Sequence, residues 1–581
     1  MSDPTPRTNT RLPYRRCTFS TLPEALDYAA KGETGLNFYS ARSDLVERIA
    51  YRDLRDQAMS LARKLVRLGL APGERVALLA DTNGDVMRGF FAASYAGLVP
   101  TPLPLPATFG GRDAYIDQIR RQIEGCGATA AFAPTELVGY LREAVASRAM
   151  TFVGTVAEAD ALPEDGADLP AIDADALCYL QYSSGSTRFP LGVAMTHRQA
   201  LHNVRAIAEF GLKIEAGDRC TSWLPLYHDM GLVGFMLTPV ACQMSVDYLA
   251  TRDFARRPLL WLALITRNGG TLSFSPTFGY ELCARRAETA STERLDLKSW
   301  RGAGIGGDMI RPKVMARFVE AFVPRGFRAT AFVPSYGMAE VGLAISFAPL
   351  GTGIVTDRVD LDVLAGGARA VAPRAGANQD RVRDFALCGV PMPAHELEVR
   401  DEAGKALGQR RAGRVFTRGP SVMACYFGAP EETRRVIAPD GWLDTGDLGY
   451  WLGDQIVITG RAKDLILVNG RNLWPQDLEW AAERVPAVRS GDAAAFSVED
   501  AEGERVVVLV QCRGADPGAR AGLARDVAGT VNEIAGVECT VVLVPPRSLP
   551  QTSSGKLSRS KAKARYLAGD FEATAPSTLA S

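Results

Sequence analysis

Short apolar segments that alternate with helical patterns constrain the fold of this chain more than any other feature of its sequence. The run RVALLA at 75–80 is typical of a buried parallel strand, and the helical pattern VMRGFFAASYAGLV follows it and ends at Pro100. Similar apolar runs recur at 129–134, 176–182, 219–226, 270–276 and 329–337. This alternation predicts an α/β fold with doubly wound sheets, in which ligands bind where strands end in loops.

The pattern changes along the chain and suggests how it is divided. Residues 23–72 carry helical periodicity, whereas 348–387 are rich in Gly, Ala and Arg and weakly periodic, which fits a linker or a surface insertion. Short alternating strands with turns predict a small β subdomain over 388–460. After Gly460 the pattern is that of a compact α+β domain of roughly 120 residues.

Charge and cysteine usage exclude several kinds of partner and site. Lys plus Arg and Asp plus Glu both number 66, so electrostatics give no reason to expect nucleic acid or an anionic membrane as the main partner. The ten scattered cysteines form no CxxC pair, which predicts reduced thiols and a cytoplasmic setting. No apolar run is long enough to span a membrane. The polar start MSDPTPRTNTRLPYRR is expected to be a frayed tail and not a signal peptide, and the residues after Phe571 are expected to be disordered.

The first segment that carries chemistry is YSSGSTRFPLGVAMTH at 182–197. Its small residues and hydroxyls, from Ser183 to Thr187, suit close approach to the oxygens of a phosphate. The segment lacks the GxxxxGK[ST] spacing of a P-loop. Taken alone, a loop of this kind is often an ordinary turn.

The second segment is SYGMAEVG at 335–342. Tyr336 precedes a glycine and is able to stack on a planar ring, and Glu340 is able to hold Mg²⁺, which prefers one or two carboxylates with phosphate oxygens. The alternative is a helix start with Glu340 on a solvated face.

Three further segments lie towards the C-terminus. Asp447, in GWLDTGDLGYW, is placed to accept hydrogen bonds from ribose hydroxyls. Arg461 and Arg471, in GRAKDLILVNGRN, are candidate contacts to phosphate or ribose. Lys556, in LPQTSSGKLSR, follows a flexible turn from which it could swing to a polyphosphate or a carboxylate. The alternatives are an ordinary Asp turn, an exposed basic hinge and a solvated lysine.

The five segments, in this order, resemble the serial motifs of the adenylate-forming superfamily over about residues 17–571. Within it the chain is most similar to the fatty acyl-AMP ligases. The resemblance rests on TSWLPLYHDMGLVG at 221–234, on GRNLWPQDLE at 470–479, and on an apparent insertion near 354–378. It implies a large N-terminal domain at 17–462, made of two doubly wound sheet–helix subdomains plus a small β subdomain. A small mobile α+β C-terminal domain at 463–581 would follow.

The resemblance also implies roles for individual residues. It implies that the ATP phosphates are bound by Ser183, Ser184, Gly185, Ser186 and Thr187. The adenine would be bound by Gly306, Gly307 and Asp308 and by the segment Ser335, Tyr336, Gly337 and Met338. The ribose would be bound by Asp447 and Arg461. Arg471 would contact phosphate, Glu340 would hold Mg²⁺, and Lys463 would occupy the hinge between the domains. Lys556 would be the lysine required for adenylation, and His228 would lie near the acyl carboxylate.

The phosphate loop departs from the family pattern. The family usually continues this loop with Gly and then Pro-Lys-Gly, whereas here Arg188 and Leu191 occupy the positions of a usual Gly and the usual Lys. We hypothesise that Arg188 supplies the displaced positive charge through its bidentate guanidinium.

The implied reaction is ATP- and Mg²⁺-dependent activation of a fatty acid to fatty acyl-AMP with release of pyrophosphate. Transfer to the phosphopantetheine thiol of a separate acyl carrier protein would follow, with the insertion blocking the rotation that CoA-using relatives need. The alternatives are a fatty acyl-CoA synthetase, a peptide-synthetase-type adenylation enzyme, which the apolar character of 221–242 disfavours, and an inactive relative that only binds nucleotide or acyl-AMP. An acyl tunnel could be lined by Trp223, Phe235, Met236 and Phe278, although such residues are more often plain core.

Overall fold

A nine-stranded sheet with six parallel strands at its centre organises the largest part of the protein. The computed structural model describes residues 3–6, 12–106, 111–164, 167–183, 190–468, 471–500, 503–514, 516–552 and 556–571. In order across this sheet the strands are Val390–Pro391, Ala344–Phe347, Phe332–Gly337, Gly302–Ile305, Leu272–Ser275, Arg219–Ser222, Ser245–Leu249, Gly35–Tyr39 and Leu45–Ala50. The last strand and the first two are antiparallel to their neighbours. The doubly wound α/β class predicted from the alternating pattern is confirmed.

Two smaller sheets complete the N-terminal half. A parallel sheet has the order Val99–Leu103, Arg75–Leu79, Ala130–Phe132 and Phe152–Gly154. An antiparallel sheet has the order Cys425–Tyr426, Gly192–Thr196 and Leu177–Tyr182. The apolar run at 176–182 is therefore one arm of an antiparallel hairpin and not a strand of a parallel sheet.

Helices cover the faces of these sheets. They are Leu22–Ala29, Tyr51–Arg67, Gly84–Tyr95, Arg112–Cys126, Val138–Ala144, Val156–Asp160, His197–Ala206, Asp229–Leu232, Thr238–Ala241, Thr251–Arg256, Leu259–Asn268, Thr277–Ala287, Pro312–Phe322, Leu361–Gly367 and Pro430–Val436. Local sequence sets several ends: Thr196 begins a helix with a capping box, and Gly127 ends one in the left-handed conformation. Two π-helical turns, Ile207–Gly211 and Val233–Leu237, interrupt the series. The periodicity at 23–72 belongs to two helices separated by the hairpin of Gly35–Tyr39 and Leu45–Ala50.

The weakly periodic stretch at 348–387 is folded and is not an irregular linker. Strand Thr356–Asp360 pairs antiparallel with Val382–Ala386, and the helix Leu361–Gly367 lies between them. Asp360 caps this helix, because its carboxylate accepts hydrogen bonds from the amides of Asp362 and Val363. We call residues 356–386 the inserted hairpin.

A four-stranded antiparallel sheet follows and agrees with the expected β subdomain. Its order is Glu396–Arg400, Gly413–Arg418, Leu443–Leu452 and Gln455–Arg461. The last two strands place Asp447 and Arg461 opposite each other. They also lead the chain directly into the C-terminal part.

The C-terminal part has hydrophobic cores of its own. Its strands are Ile466–Val468, Arg471–Leu473, Ala493–Asp500, Gly503–Gln511 and Cys539–Val544, and its helices are Pro475–Ala482, Pro517–Ala535 and Arg559–Leu567. Separate clusters of buried residues begin at Ile466 and at Ala494. These cores fit an independent α+β unit, and the division at 462/463 remains a prediction.

The described start of the chain is anchored, contrary to the expectation of a frayed tail. Thr5 is buried, its N–H donates to Asn37 Oδ1 at 2.9 Å, and its carbonyl accepts from Arg219 Nη1 at 2.7 Å. The expectation for the residues after Phe571 lies outside the described residues.

The cysteines are scattered through the fold. All ten are free thiols, and seven of them are buried. Within the described ranges, no helix combines the length and the apolar character needed to cross a bilayer.

Candidate active site

The candidate site is a cleft of about 200 Å³ between the large sheet and the C-terminal part. Strands Gly302–Ile305 and Phe332–Gly337 are parallel neighbours, so the residues that follow them meet at one edge of the sheet. Gly307 and Tyr336 line the cleft from that edge, while Lys463 and Lys556 line it from the opposite side. The cleft therefore brings together residues from four of the five sequence segments.

The glycines after the first strand allow the two strand ends to approach closely. A Cβ on Gly306 would lie 2.8 Å from Ser335 Oγ, and Gly307 has φ +74°, a conformation that favours glycine. The Ser335 hydroxyl donates to the Ile305 carbonyl at 3.2 Å. Asp308 is exposed, and its Oδ1 accepts from the Met309 amide at 2.7 Å. These contacts bring the ends of the two strands together where Gly307 and Ser335 line the cleft, and we call this place the Gly306–Gly307 slot.

Tyr336, Asp447 and Arg461 form a connected polar group on one wall. The phenol of Tyr336 donates to Asp447 Oδ2 at 2.7 Å, and Arg461 Nε lies 3.2 Å from Asp447 Oδ1. Burial raises the pKa of Asp447, while Arg461 and the Tyr336 hydrogen bond act in the opposite direction. The carboxylate is thus held in place by a phenol and a guanidinium, one on each oxygen.

Glu340 is buried below this group, in the short turn Ala339–Val341. Its Oε1 accepts a hydrogen bond from the Tyr426 hydroxyl at 2.8 Å. Burial raises the pKa of Glu340, and the Tyr426 hydrogen bond opposes that rise. Gly337 is required at the start of this turn, because a Cβ there would lie 1.8 Å from the Leu343 carbonyl oxygen. Met338 is partly buried against the main core. The buried position rules out the alternative of a solvated helix face for Glu340.

His228 and Asp229 form a pair, and Asp229 interacts electrostatically with Lys556. His228 Nδ1 lies 2.5 Å from Asp229 Oδ1. Lys556 reaches in from the C-terminal part, because a Cβ on Gly307 would lie 3.5 Å from Lys556 Nζ. Burial acts to raise the pKa of Asp229, but His228, Lys556 and the Met230 amide outweigh it, and the pKa is lowered. The Asp229 carboxylate is therefore favoured as an anion by His228 and by Lys556.

Lys463 lies in the turn Ala462–Asp464, where the chain passes between the two parts. Burial, together with the nearby Arg461, lowers the pKa of its amine. The lysine lines the cleft, so a rotation about this turn would change the cleft directly.

Part of the predicted site lies outside the described residues. Ser184, Gly185, Ser186, Thr187 and Arg188 fall there, as does the side chain of Arg471, although its strand pairs with Ile466–Val468. Ser183 closes the end of the hairpin, where its N–H donates to the Leu191 carbonyl at 2.9 Å.

Several lining residues were not singled out from the sequence. Thr552, Ser558, Arg559 and Gln476 line the cleft. Arg559 Nη2 pairs with Glu479 Oε2 at 2.7 Å, which fixes the start of the helix that follows Lys556. Arg559 is the last residue of the motif LPQTSSGKLSR. Its place in the same motif as Lys556 was the feature of the sequence that could have indicated it.

The four candidate acyl-tunnel residues separate into two groups. Phe235 lines a second, apolar pocket beside the cleft. Trp223 instead stacks on Phe254 with ring centroids 3.8 Å apart, Phe278 packs edge-on against Trp223, and Met236 is fully buried. Trp223 and Met236 therefore belong to the core, and Phe278 packs against it.

Comparison with known proteins places this architecture among characterised sequences. The sequence model of the AMP-binding enzyme family matches residues 29–427. A Caulobacter vibrioides protein, provisionally named an acyl-CoA synthetase, is 53% identical over 559 residues, covering 96% of this chain and 97% of its own length. The long-chain-fatty-acid–AMP ligase FadD32 of Mycolicibacterium smegmatis is 30% identical and covers 93% and 92%. The medium-chain-fatty-acid–acyl-carrier-protein ligase JamA of Moorena producens is 29% identical and covers 95% and 96%.

Solved structures also match this chain, and one of them is 43% identical to it. It comes from a study of fatty acyl-adenylate ligases of E. coli and L. pneumophila, with a TM-score of 0.91 and 43% identity. The match covers 96% of this chain and 100% of the other. The similarity therefore includes both the large sheets and the C-terminal part.

Proposed function

This chain belongs to the AMP-binding enzyme family, and we propose from that premise that it is a fatty acyl-AMP ligase. It activates a fatty acid with ATP, forming fatty acyl-AMP and pyrophosphate, and then passes the acyl group to the thiol of a separate carrier protein. The relatives named as fatty-acid–AMP ligases and the 43% identical adenylate ligase structure support the first step.

The single observation that carries this proposal is the position of Lys556. Its ammonium comes from the C-terminal part, yet it lies over Gly307 and interacts electrostatically with Asp229. A lysine delivered from a separate unit into a cleft with a buried carboxylate and a tyrosine suits the neutralisation of phosphate and acyl oxygens. It also explains why the site is complete only when both parts of the chain come together.

The chemistry follows from this arrangement. The acid's carboxylate oxygen attacks the α-phosphorus in line, a new P–O bond forms, and the bond to the departing pyrophosphate breaks. The protein mainly positions the groups and offsets charge. Lys556 stabilises the oxygens that gain negative charge, while Asp447 and Arg461 orient the ribose and the Gly306–Gly307 slot admits the adenine beside Tyr336. His228, held by Asp229, stands where the carboxylate enters.

Glu340 fits the role proposed for a Mg²⁺ ligand. Among the described residues, no cluster of three or more His, Cys, Asp or Glu is arranged to bind a metal. Mg²⁺ commonly takes one carboxylate with phosphate oxygens and water, and Glu340 offers a buried carboxylate that the Tyr426 hydroxyl orients. When bound, Mg²⁺ supplies positive charge to the triphosphate. The chain's own contribution is to hold the Glu340 carboxylate in place through the Tyr426 hydroxyl.

The acceptor is proposed to be a carrier-protein thiol and not free CoA. JamA, named an acyl-carrier-protein ligase, supports this choice, while the provisional name of the Caulobacter relative keeps acyl-CoA synthesis as the competing function. The inserted hairpin gives a physical reason. Leu361 and Leu364 pack in one cluster with Trp474 of the C-terminal part, so this contact opposes rotation of that part. The ten free thiols support a cytoplasmic location.

Pyrophosphate exchange with a panel of straight-chain fatty acids tests the activity. We expect exchange that depends on both ATP and fatty acid, and product analysis should show acyl transfer to a phosphopantetheinylated carrier protein but little acyl-CoA. Absence of exchange with every acid would indicate a relative that only binds nucleotide. Efficient acyl-CoA formation would favour the synthetase.

A further inference from the structure

Asn203 is a fully buried side chain on the helix His197–Ala206, and its amide makes three hydrogen bonds. Its Oδ1 accepts from the Ala344 amide at 3.0 Å. Its Nδ2 donates to the Ala344 carbonyl at 2.8 Å and to Ser421 Oγ at 3.0 Å. These partners fix the orientation of the side chain, because a flipped amide would set donor against donor and acceptor against acceptor. Asn203 therefore joins two segments that are distant from it in the sequence.

His395 extends the hydrogen bonds beyond Ser421. Its ring Nδ1 lies 3.0 Å from the Pro393 carbonyl, which only accepts, so Nδ1 carries the proton. Burial lowers the pKa of His395, so the ring is neutral near neutral pH and its Nε2 is an acceptor. The Ser421 hydroxyl therefore donates to Nε2, which is 2.5 Å away, and accepts from Asn203. We call Asn203, Ser421 and His395 the Asn203 network.

The first connection from this network to Glu340 runs through Ala344. The strand that begins at Ala344 follows the short turn that carries Glu340. Between them Gly342 has φ +80°, a conformation that favours glycine, and a Cβ there would lie 3.5 Å from Asn203 Cβ. The two backbone hydrogen bonds of Ala344 to Asn203 therefore hold the chain where it leaves the turn.

The second connection runs through Ser421. The Met423 amide donates to the Glu340 carbonyl at 2.8 Å, and the Tyr426 hydroxyl donates to Glu340 Oε1 at 2.8 Å. The segment 421–426 thus contacts both the backbone and the carboxylate of Glu340. Ser421 fixes the start of that segment through Asn203 and His395.

The network contributes position to the site and no direct contact with a ligand. Its three residues are not among the described residues that line the cleft. A buried polar network whose members are all hydrogen-bonded makes the surrounding structure rigid and specifies one arrangement of it. A carboxylate that is already held in place loses less conformational freedom when it binds a cation, so it binds the cation more tightly.

We propose that the Asn203 network is a positioning unit for Glu340, which holds the carboxylate where a divalent cation on the ATP phosphates would meet it. The proposal rests on the proposed function and adds three positioning residues to the same site. Its consequence is selective. Loss of the network should weaken the binding of ATP with Mg²⁺ and leave the binding of metal-free ATP unchanged.

Calorimetric titration of the full-length protein with ATP, once in Mg²⁺ and once in EDTA, gives the factor by which Mg²⁺ tightens binding. We expect Ser421→Ala to reduce this factor about three- to tenfold, and Asn203→Leu about tenfold or more, because each removes hydrogen bonds that position Glu340. The Kd for metal-free ATP should change less than about twofold, since the network lies away from the nucleotide. The Mg²⁺ concentration for half-maximal pyrophosphate exchange should rise by the same factors.

Ser245→Ala is the matched control. Ser245 is also a fully buried serine whose hydroxyl accepts one hydrogen bond, from Thr5 Oγ1 at 3.1 Å, and donates one, to the Pro6 carbonyl at 2.5 Å. Its loss should lower Tm, as the loss of Ser421 does, but leave the effect of Mg²⁺ on ATP binding at the wild-type value. Thermal unfolding checks the fold of each variant, and Ser421→Ala alone carries the test if Asn203→Leu does not fold.

A Glu340→Gln background separates positioning from a general structural role. Ser421→Ala should have no further effect on the Mg²⁺ factor there, because the carboxylate through which the network acts is gone. A further loss of the same size in that background, or an unchanged factor in folded Ser421→Ala, would overturn the inference. A wild type that adenylates no acid would instead refute the proposed function and leave the binding test valid.

Discussion

Arg383 of the inserted hairpin and Asp477 of the C-terminal part form a buried ion pair, with Nη1 and Oδ1 2.8 Å apart. The Arg383 guanidinium also lies over the Trp480 ring, 4.5 Å from its centroid, and Arg311 lies 5.0 Å from the same ring. Arg311 pairs in turn with Glu483 at 2.8 Å. Two cations of the large part thus contact one tryptophan and pair with two carboxylates of the C-terminal part.

Removing Asp477 should release the C-terminal part from its present position. In Asp477→Ala the Arg383 guanidinium is left buried without its counter-charge, which costs about 3–5 kcal/mol at a site of this kind. We expect the rate of acyl-AMP formation in single-turnover experiments to fall about tenfold or more, because Lys556 is no longer held in the cleft.

The matched control is Arg484→Ala. Arg484 and Asp380 also join the two parts, but both are largely exposed, so their pair contributes at most about 1 kcal/mol. A double variant Arg383→Met with Asp477→Leu should adenylate faster than Asp477→Ala, since it removes both charges together. Equal rates for Asp477→Ala and Arg484→Ala would show that the buried pair does not position the C-terminal part.

Lys556→Ala should abolish acyl-AMP formation while the protein stays folded. The side chain is only partly buried and projects into the cleft, so its loss leaves no core cavity. Loss of a preorganised positive charge at a reacting oxygen costs about a hundredfold to a thousandfold in rate. Pyrophosphate exchange measures the loss, and thermal unfolding checks the fold.

Lys561→Ala is the control for this variant, because Lys561 is exposed on the helix that follows. It should exchange pyrophosphate at the wild-type rate. Normal exchange by Lys556→Ala would remove the lysine from the mechanism.

Arg461→Gln should move the acid limb of kcat/KM for ATP to higher pH. Burial already raises the pKa of Asp447, and Arg461 opposes that rise. Without the guanidinium, the pKa of Asp447 rises further, and the carboxylate is protonated at a higher pH. Only the ionised carboxylate accepts both ribose hydroxyls, so ATP binding should be lost earlier as pH falls.

In Arg461→Lys the acid limb should lie between those of the wild type and Arg461→Gln, because the positive charge remains while the planar geometry of the guanidinium is lost. pH profiles of the three proteins, measured at constant ionic strength, make this comparison. Coinciding acid limbs for wild type and Arg461→Gln would mean that Asp447 does not control ATP binding.

Shortening the inserted hairpin should allow measurable acyl-CoA synthesis. Deleting 354–378 outright would remove strand Thr356–Asp360. A better design replaces 361–381 with Asn-Gly, because Asp360 and Val382 are paired and a two-residue turn closes such strands. The replacement removes Leu361, Leu364 and the hydrogen bond from Arg381 Nη1 to the Ile534 carbonyl.

The readout for the shortened variant is acyl-CoA formed from preformed acyl-AMP, beside transfer to carrier protein. Leu361→Ala and Leu364→Ala in the intact hairpin provide an intermediate case, in which packing is weakened and connectivity is kept. A folded variant that gains no acyl-CoA activity would show that the hairpin does not decide the acceptor.

The class of the sheets and most residues of the candidate site could be predicted from the sequence, because short segments are enough to indicate them. Apolar runs such as 219–226 and 270–276 are buried on both faces in a parallel sheet. They can therefore be recognised as strands without knowing which strands they pair with. Asp447, Arg461 and Lys556 were recognisable because each has distinctive neighbours in the sequence, although Asp447 and Arg461 lie in paired strands and not in the turn expected around Asp447. The hydrogen bond between Asp447 and Tyr336 could not be predicted, because the two residues are 111 positions apart in the sequence.

Other features depended on pairing that a single segment does not reveal. The inserted hairpin read as irregular because its strands are short and its helix is rich in glycine and alanine. Burial of Thr5 depends on Asn37 and Arg219, which a reading of the polar N-terminal segment alone could not supply.

The two π-helical turns have a consequence for how this protein could be redesigned. An extra residue in a helix rotates everything after it by about 100°, and a deletion rotates it back. At Val233–Leu237 such a change would turn Phe235 out of the pocket and bring a different side chain in. Altering the length of these two short turns would therefore change which side chains line the apolar pocket, without exchanging a single side chain in the sheet.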